Sequence, residues 1–390
     1  MKIPKLGLFP KVLCAIFIGA LLGLVVPEFL IRIFKTFNGI FAQLLKFIVP
    51  LLVLGLVTPS ITRLGKGAGK ILIAVVGISY ISTICAGFFA YGCATTLLPN
   101  YLSIGEISAT ATANVIEVVP YVSLKIPPIC DILTALCLSF MIGVGSIFIN
   151  ATHTRDIFDE FGEIVKLTIE RVIIPLLPWY IFTMMCEMSY KGQLAIVIGS
   201  GVKIILTGVV LSIVYLIVQY CIACSIAGKN PFKCLWDILP AYLTGFSICS
   251  SSAVIPVTLE CVKKMGATKE IAEFSVPLCG TVHMCGSTIK LITTSVAVMY
   301  MSGMDINISL IANFILLQGI AAVAAPGVMG GVLMASVGLL ESVLGFSPEQ
   351  SALMMAIYLA LDGYGPACNV SGDAAITLLV DRFFGKRKTV

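Results

Sequence analysis

The chain has 390 residues, of which 58% are hydrophobic and only 12% charged. A soluble globule carries about 25% charged residues, so the composition excludes one and points to a polytopic membrane protein with the lipid bilayer as its partner. The formal net charge of +5 is spread over loops, which argues for cytoplasmic loops and against a nucleic-acid surface.

Met1-Lys2 begins a short basic segment ending at Lys11. Residues 12–26 then read as a first span, because no small-residue cleavage pattern marks a leader. Runs with few or no charges predict helices near 11–33, 37–60, 71–98, 112–150, 165–189 and 194–228. Each approaches or exceeds the roughly 20 residues a span requires. The fourth run is broken by Pro120, Pro127 and Pro128 and interrupted by Glu117, Lys125 and Asp131. Residues 99–108, 151–164 and 343–350 have the composition of exposed loops.

From there the pattern changes. An apolar hairpin at about 232–262 is broken by Ser250, Ser251 and Ser252, and a helix at 270–301 follows it with His283, Ser287 and Lys290. A second hairpin at about 308–342 is broken by Pro326-Gly327, and a last helix at 350–384 carries Asp362, Asn369 and Asp373. Polar residues at bilayer depth are costly and mark ion or substrate paths. Two interrupted segments in matching positions of two halves are the pattern of inverted repeats around a transporter's binding site.

Basic residues cluster at Lys2, Lys5 and Lys11; at Arg63, Lys66 and Lys70; at Lys229 and Lys233; at Lys263, Lys264 and Lys269; and at Arg382, Lys386, Arg387 and Lys388. With eight full spans they all fall on one side, which places both termini in the cytoplasm of a cell-membrane protein.

Asp362, Asn369 and Asp373 are spaced at i, i+7 and i+11 and fall within about 20° of one stripe, with Gly365 and Pro366 between them. Pro366 removes a backbone hydrogen bond and frees the carbonyl of Asp362. Carboxylates and carbonyl oxygens suit Na⁺ or a substrate ammonium. His283, Ser287 and Lys290, at i, i+4 and i+7, share a helix face. The structural alternative is that Lys290 simply pairs with Asp362 or Asp373. Gly327, Gly330 and Gly331 fit either close helix packing or a hairpin tip that opens.

The fourteen cysteines lie mostly in apolar stretches and read as small buried hydrophobes. Cys221-Ile222-Ala223-Cys224 lacks the second ligand pair of a zinc site. Adjacent His283-Met284-Cys285 point about 100° apart on a helix, so no transition-metal site is expected unless the helix unwinds there.

Four ordered motifs resemble the dicarboxylate/amino acid:cation symporters, the glutamate-transporter family. They are Ser250-Ser251-Ser252 running on to Glu260, Val276-Pro277-Leu278 with His283 to Ser287, Ala325-Pro326-Gly327, and Asn369-Val370-Ser371-Gly372-Asp373. The resemblance covers essentially the whole chain. It implies an all-α elevator-type transporter of eight transmembrane helices and two re-entrant hairpins, assembled as a homotrimer. Residues 1–70 and 99–192 would be scaffold helices 1–2 and 4–5; 71–98 (helix 3) and 193–390 would move with the substrate.

The resemblance also implies roles. Asp362 would hold the substrate's α-ammonium. Asn369, the serines Ser250 to Ser252 and the second-hairpin tip, Ala325, Pro326 and Gly327, would surround the substrate beside Gly365 and Pro366. Asp373 would bind a Na⁺ ion with the carbonyl of Asn369. Met284 and the backbone near Thr281, Gly319, Ile320 and Ala322 would frame a second Na⁺. Apart from the coupling ion no cofactor is expected.

The departures shape the substrate. Members that carry acidic substrates have an arginine three residues after the aspartate matched by Asp362, or just before the serines; this chain has Gly365 and Cys249 there. A second carboxylate would lack its fork partner, so a small neutral amino acid is expected. The space at Gly365 is expected to admit a side chain larger than serine unless Tyr364 or Met329 fills it. The family's third sodium site has asparagine and aspartate where this chain has His283 and Cys285, and hydroxyls from the third helix, whose matches are Ile78 and Ser79. That site is expected to be lost, with Lys290 or a proton on His283 supplying the charge. Alanines at 321, 322, 324 and 325 replace glycines of the family and predict a stiffer tip. The expected function is Na⁺-driven amino-acid symport and no enzymatic activity. The alternatives are H⁺ coupling, acidic substrates, or an anion-conducting channel on the same fold. A serine hydrolase lacks a base, because His153 is in a loop and only His283 is intramembrane.

Overall fold

The computed structural model describes residues 8–64, 70–105, 118–130, 132–191, 194–323, 325, 330–360 and 362–385. All regular structure among them is helical. In chain order the helices are α1 (Leu8–Leu22), α2 (Glu28–Leu64), α3 (Lys70–Leu97), α4 (Ile132–Phe148), α5 (Thr152–Thr168), α6 (Ile174–Tyr190) and α7 (Leu194–Ala227). Then come α8 (Pro231–Ile248), α9 (Ile255–Lys264), α10 (Lys269–Val282), α11 (Cys285–Met301), α12 (Ile308–Val323), α13 (Gly331–Ser342), α14 (Pro348–Ala360) and α15 (Tyr364–Phe384). The stretches Lys70–Asn100, Gly199–Ala227 and Lys269–Met301 are long and apolar enough to cross a membrane.

The first half departs from the expected spans. Helix α1 stops at Leu22, short of residue 33, and α2 takes up residues 28–36 as its own first turns. Residues 118–130 form no helix, because Pro120, Pro127 and Pro128 lack the N–H groups a helix interior needs. The supposed loop at 151–164 is helical and runs through a π-helical turn, Ile169–Ile173, into α6. Its charges are tolerated because one face packs on α2, where Gly162 meets the backbone of Gly55.

The second half carries two hairpins, each followed by a broken helix. In the first hairpin Asn230 caps α8 through Phe232 N and Lys233 N, and Pro231 occupies the first helical position. The chain turns at Cys249, whose φ of 56° is left-handed, and passes through a 3-10 turn, Ser252–Val254, into α9. Lys264 Nζ lies 2.7 Å from Asp237 Oδ1 and ties the two arms at their open end. In the second hairpin α13 begins after Gly330 (φ 70°), while Pro326 and Gly327 lie outside the described residues.

Both long helices of this half are interrupted. His283 is extended (φ −102°, ψ 106°), and α11 restarts at Cys285. The expected continuous helix at 350–384 breaks before Tyr364, leaving Asp362 outside α15. Pro366 then sits in the first turn of α15, where its missing N–H costs nothing. The proline starts the second half-helix instead of kinking one helix.

Helix α1 packs on α6, and α2 on α4, α5 and α6. Helix α15 packs on α7, α8, α10 and α11, while α11 also packs on α3. Both α11 and α15 are buried along nearly their whole length, so the half-helix starts at Cys285 and Tyr364 lie inside the protein.

Candidate functional site

Breaking a helix strands backbone N–H groups that must find partners. At the start of α11 they find side chains of other helices. Asn369 Oδ1 accepts from Gly286 N at 2.8 Å and Ser287 N at 3.1 Å, and Thr83 Oγ1 accepts from Met284 N at 3.3 Å. With its oxygen so engaged, the amide of Asn369 turns its NH₂ the other way. Nδ2 donates to Ser287 Oγ at 2.9 Å and lies 3.4 Å from Met284 Sδ and 3.5 Å from Ser251 Oγ.

A small cavity lies beside this amide. Ser251, Met284, Ser287, Gly330, Tyr358 and Asp362 line it, with Gly331, Val332, Pro366 and Asn369. Its free volume is about 10 Å³, room for one water at most. Only Ser251 of the three serines reaches it; Ser250 Oγ instead accepts from Ala253 N at 3.4 Å, and Ser252 starts the 3-10 turn.

Lys290 takes the Asp362 partner. Its Nζ lies 2.6 Å from Asp362 Oδ1, and Gly330 N donates to Oδ2 at 3.0 Å. Lys290 is 1% exposed and Asp362 2%. The ammonium also lies over the Tyr358 ring at 3.8 Å from its centroid and 5.1 Å from that of Tyr364.

Asp373 does not line the cavity. Its Oδ1 lies 2.9 Å from His283 Nδ1, and His283 Nε2 lies 3.0 Å from Ser82 Oγ. Ser82 in turn meets Tyr215 OH at 3.2 Å and Gln219 Nε2 at 3.1 Å. The expected stripe of Asp362, Asn369 and Asp373 therefore splits, because the break at 362–363 takes Asp362 off the helix that carries the other two. The face expected for His283, Ser287 and Lys290 splits as well, since the chain unwinds between the first and the others. Ser287 and Lys290 turn to the cavity side and His283 to Asp373.

Ser79 Oγ sits 3.7 Å from Cys279 Sγ, and Ser82 and Thr83 bring hydroxyls to the α10–α11 break. The open space expected at Gly365 is absent. A Cβ built there would stand 3.3 Å from Ser287 Oγ and 3.5 Å from Ser287 Cα, so α11 fills the place. Tyr364 points to α7, against Gly208.

Thr281, Gly319, Ile320 and Ala322 do not line the cavity. Thr281 is exposed and its hydroxyl returns to Leu278 O at 2.8 Å. Gly319 makes room for the Tyr80 ring, and Ala322 O accepts from Ala325 N at 3.1 Å. Although the chain does unwind at His283-Met284, no group of three His, Cys, Asp or Glu side chains suited to a metal occurs among the described residues. Cys285 Sγ turns instead to Cys368 Sγ, 3.9 Å away.

Ser82, Tyr215, Gln219 and Tyr358 are site residues that sequence reasoning did not name. A signal existed for Gln219, an amide within an uncharged run.

The sequence model of the sodium:dicarboxylate symporter family matches residues 8–383. The serine/threonine transporter SstT of Streptococcus suis is 27% identical over 342 residues, covering 85% of this chain and 93% of that protein. That of Streptococcus thermophilus is 26% identical, with 97% and 96% covered, and that of Acinetobacter baylyi 25%, with 97% and 98% covered. The match runs through both hairpins and both broken helices, and so takes in Asp362, Asn369 and Asp373: the chain belongs to the sodium:dicarboxylate symporter family and is a membrane transporter, not an enzyme.

Proposed function

We propose that the protein is a cation-coupled symporter of small neutral amino acids, with serine and threonine as first candidates. The observation that carries this reading is the charge of the pocket. Asp362 and Lys290 neutralise each other, and no guanidinium stands at Gly365 or Cys249. A zwitterion keeps the site neutral. An acidic amino acid would bring an unpaired carboxylate, at a penalty of several kcal/mol. Asp362 offers an acceptor for the α-ammonium, and Asn369 Nδ2 with Ser251 and Ser287 offers donors for the α-carboxylate. The relatives, serine/threonine transporters, agree with this choice.

The coupling ion is Na⁺ at Asp373 and the Asn369 carbonyl in this reading, which rests on the family. A second reading, H⁺ coupling, is favoured by one contact, His283 Nδ1 at 2.9 Å from Asp373 Oδ1. A homotrimer, cytoplasmic termini and an elevator motion belong to the same proposal. Helices α1, α2, α4, α5 and α6 pack mainly on one another and meet the rest chiefly through α13 and α14, which supports that motion.

Uptake of labelled L-serine into proteoliposomes tests it. A Na⁺ gradient should drive accumulation that excess threonine blocks and excess aspartate does not. Accumulation driven by a pH gradient alone would select the second reading. Preference for aspartate would sink the substrate assignment.

A further inference from the structure

Asp362 already holds an ammonium. Lys290 Nζ takes Oδ1 at 2.6 Å, Gly330 N takes Oδ2 at 3.0 Å, and the cavity beside them has about 10 Å³ free. A substrate ammonium cannot reach Asp362 in this arrangement unless Lys290 gives way. The lysine would not be left bare. Its Nζ already lies over the Tyr358 ring, 3.8 Å from the centroid, with the Tyr364 centroid at 5.1 Å, and aromatic faces hold ammonium groups. Without Lys290, Asp362 would be a lone carboxylate at 2% exposure, a state that proteins avoid.

We infer that Lys290 is a tethered stand-in for the substrate's α-ammonium, which neutralises Asp362 in the empty transporter and releases Asp362, keeping only its aromatic contacts, when substrate binds. Binding is then an exchange of one ammonium for another. The empty site can return across the membrane with no cation bound at Asp362, because it carries its own. Lys290 lowers substrate affinity by competition and in return permits net transport. The identity of the incoming amino acid rests on the proposed function; the ammonium seat at Asp362 does not.

The test uses purified Lys290→Met and wild type in sodium-free buffer, with methylammonium and L-serine as probes. Methylammonium should raise the Tm of Lys290→Met by several degrees and leave the wild type unmoved. L-serine should bind the variant at least tenfold more tightly than the wild type. In proteoliposomes, serine–serine exchange by the variant should persist while net uptake falls at least tenfold. A lysine that only packs would show no selective rescue by methylammonium. Equal or absent methylammonium shifts, or exchange and net uptake falling together, would overturn the inference. If serine stabilises neither protein while methylammonium stabilises only the variant, the substrate assignment fails and the stand-in role survives. Should Lys290→Met not fold, its recovery by methylammonium during purification, or by the added change Asp362→Asn, replaces the Tm shift. Failure of both overturns the inference.

Discussion

Asn369 faces two ways, and its two polar atoms have separable roles. The oxygen holds Gly286 N and Ser287 N, while the NH₂ group points into the cavity. Asn369→Ala leaves two buried N–H groups without partners, at about 1–3 kcal/mol each. Its thermal midpoint should fall well below that of the wild type. Asn369→Asp keeps an acceptor at the start of α11, where a helix N-terminus favours negative charge. That variant should fold, yet lose L-serine binding at least tenfold, because a carboxylate repels the substrate's own. Asn369→Asp that binds serine as the wild type does would remove the amide from the substrate site. Much of this residue's importance was legible in the sequence, since an amide in an apolar helix is conspicuous. The partner of Lys290 was not. Spacing assigns a residue to a helix face, but it does not say which of two carboxylates on other segments lies opposite.

Helix α11 crosses α15 at Gly286 and Gly365, and the contact is backbone on backbone. A Cβ at Gly286 would stand 2.5 Å from Gly365 O and would overlap the Cys368 side chain. Gly286→Ala should therefore cost about 1–3 kcal/mol through overpacking. Gly77 in α3 is the control, because a Cβ there meets nothing within 4 Å. Gly77→Ala should be neutral or gain up to about 1 kcal/mol from helix propensity. Thermal denaturation of both variants in detergent checks the pair, and equal midpoints would show that the crossing is looser than described. Gly365→Arg should be destabilised further than Gly286→Ala, since Ser287 already stands 3.3 Å from a Cβ at Gly365 and an arginine adds a whole side chain beyond it. At this scale the sequence revealed the two hairpins, because serines and a proline–glycine pair interrupt apolar runs. It concealed the break at Asp362, while the resemblance alone implied a discontinuity in the helix that carries His283. Periodicity runs across both as though each helix were continuous, and so assigns side chains that the breaks separate to one face. It also concealed α5, whose charges resemble those of a loop while Gly162 packs against Gly55.

Across the whole molecule, the proposed symport sets the charge moved in each cycle. Asp362 and Lys290 stay with the protein and return with the empty site, and a zwitterion adds nothing, so the only net charge transferred with a neutral amino acid would be that of the coupling cation. One elementary charge crossing 100 mV is worth about 2.3 kcal/mol, or about 50-fold in the accumulation ratio at equilibrium. Proteoliposomes with an inside-negative potential of that size should accumulate labelled L-serine about 50-fold further than unpolarised ones for each cation coupled. An anion-conducting channel would give current and no accumulation at any potential. Accumulation that ignores the potential would mean that no net charge moves with the amino acid. The coupling cation would then have to be exchanged for another on the return. Lys290→Met sharpens the measurement. If its lysine serves only as a counter-charge that stays in the protein, the final accumulation ratio at a given potential should be the same in the variant as in the wild type, though reached more slowly, because the protein's own charges return in every cycle. A changed potential dependence of that ratio would mean that the lysine's charge is replaced by a transported cation.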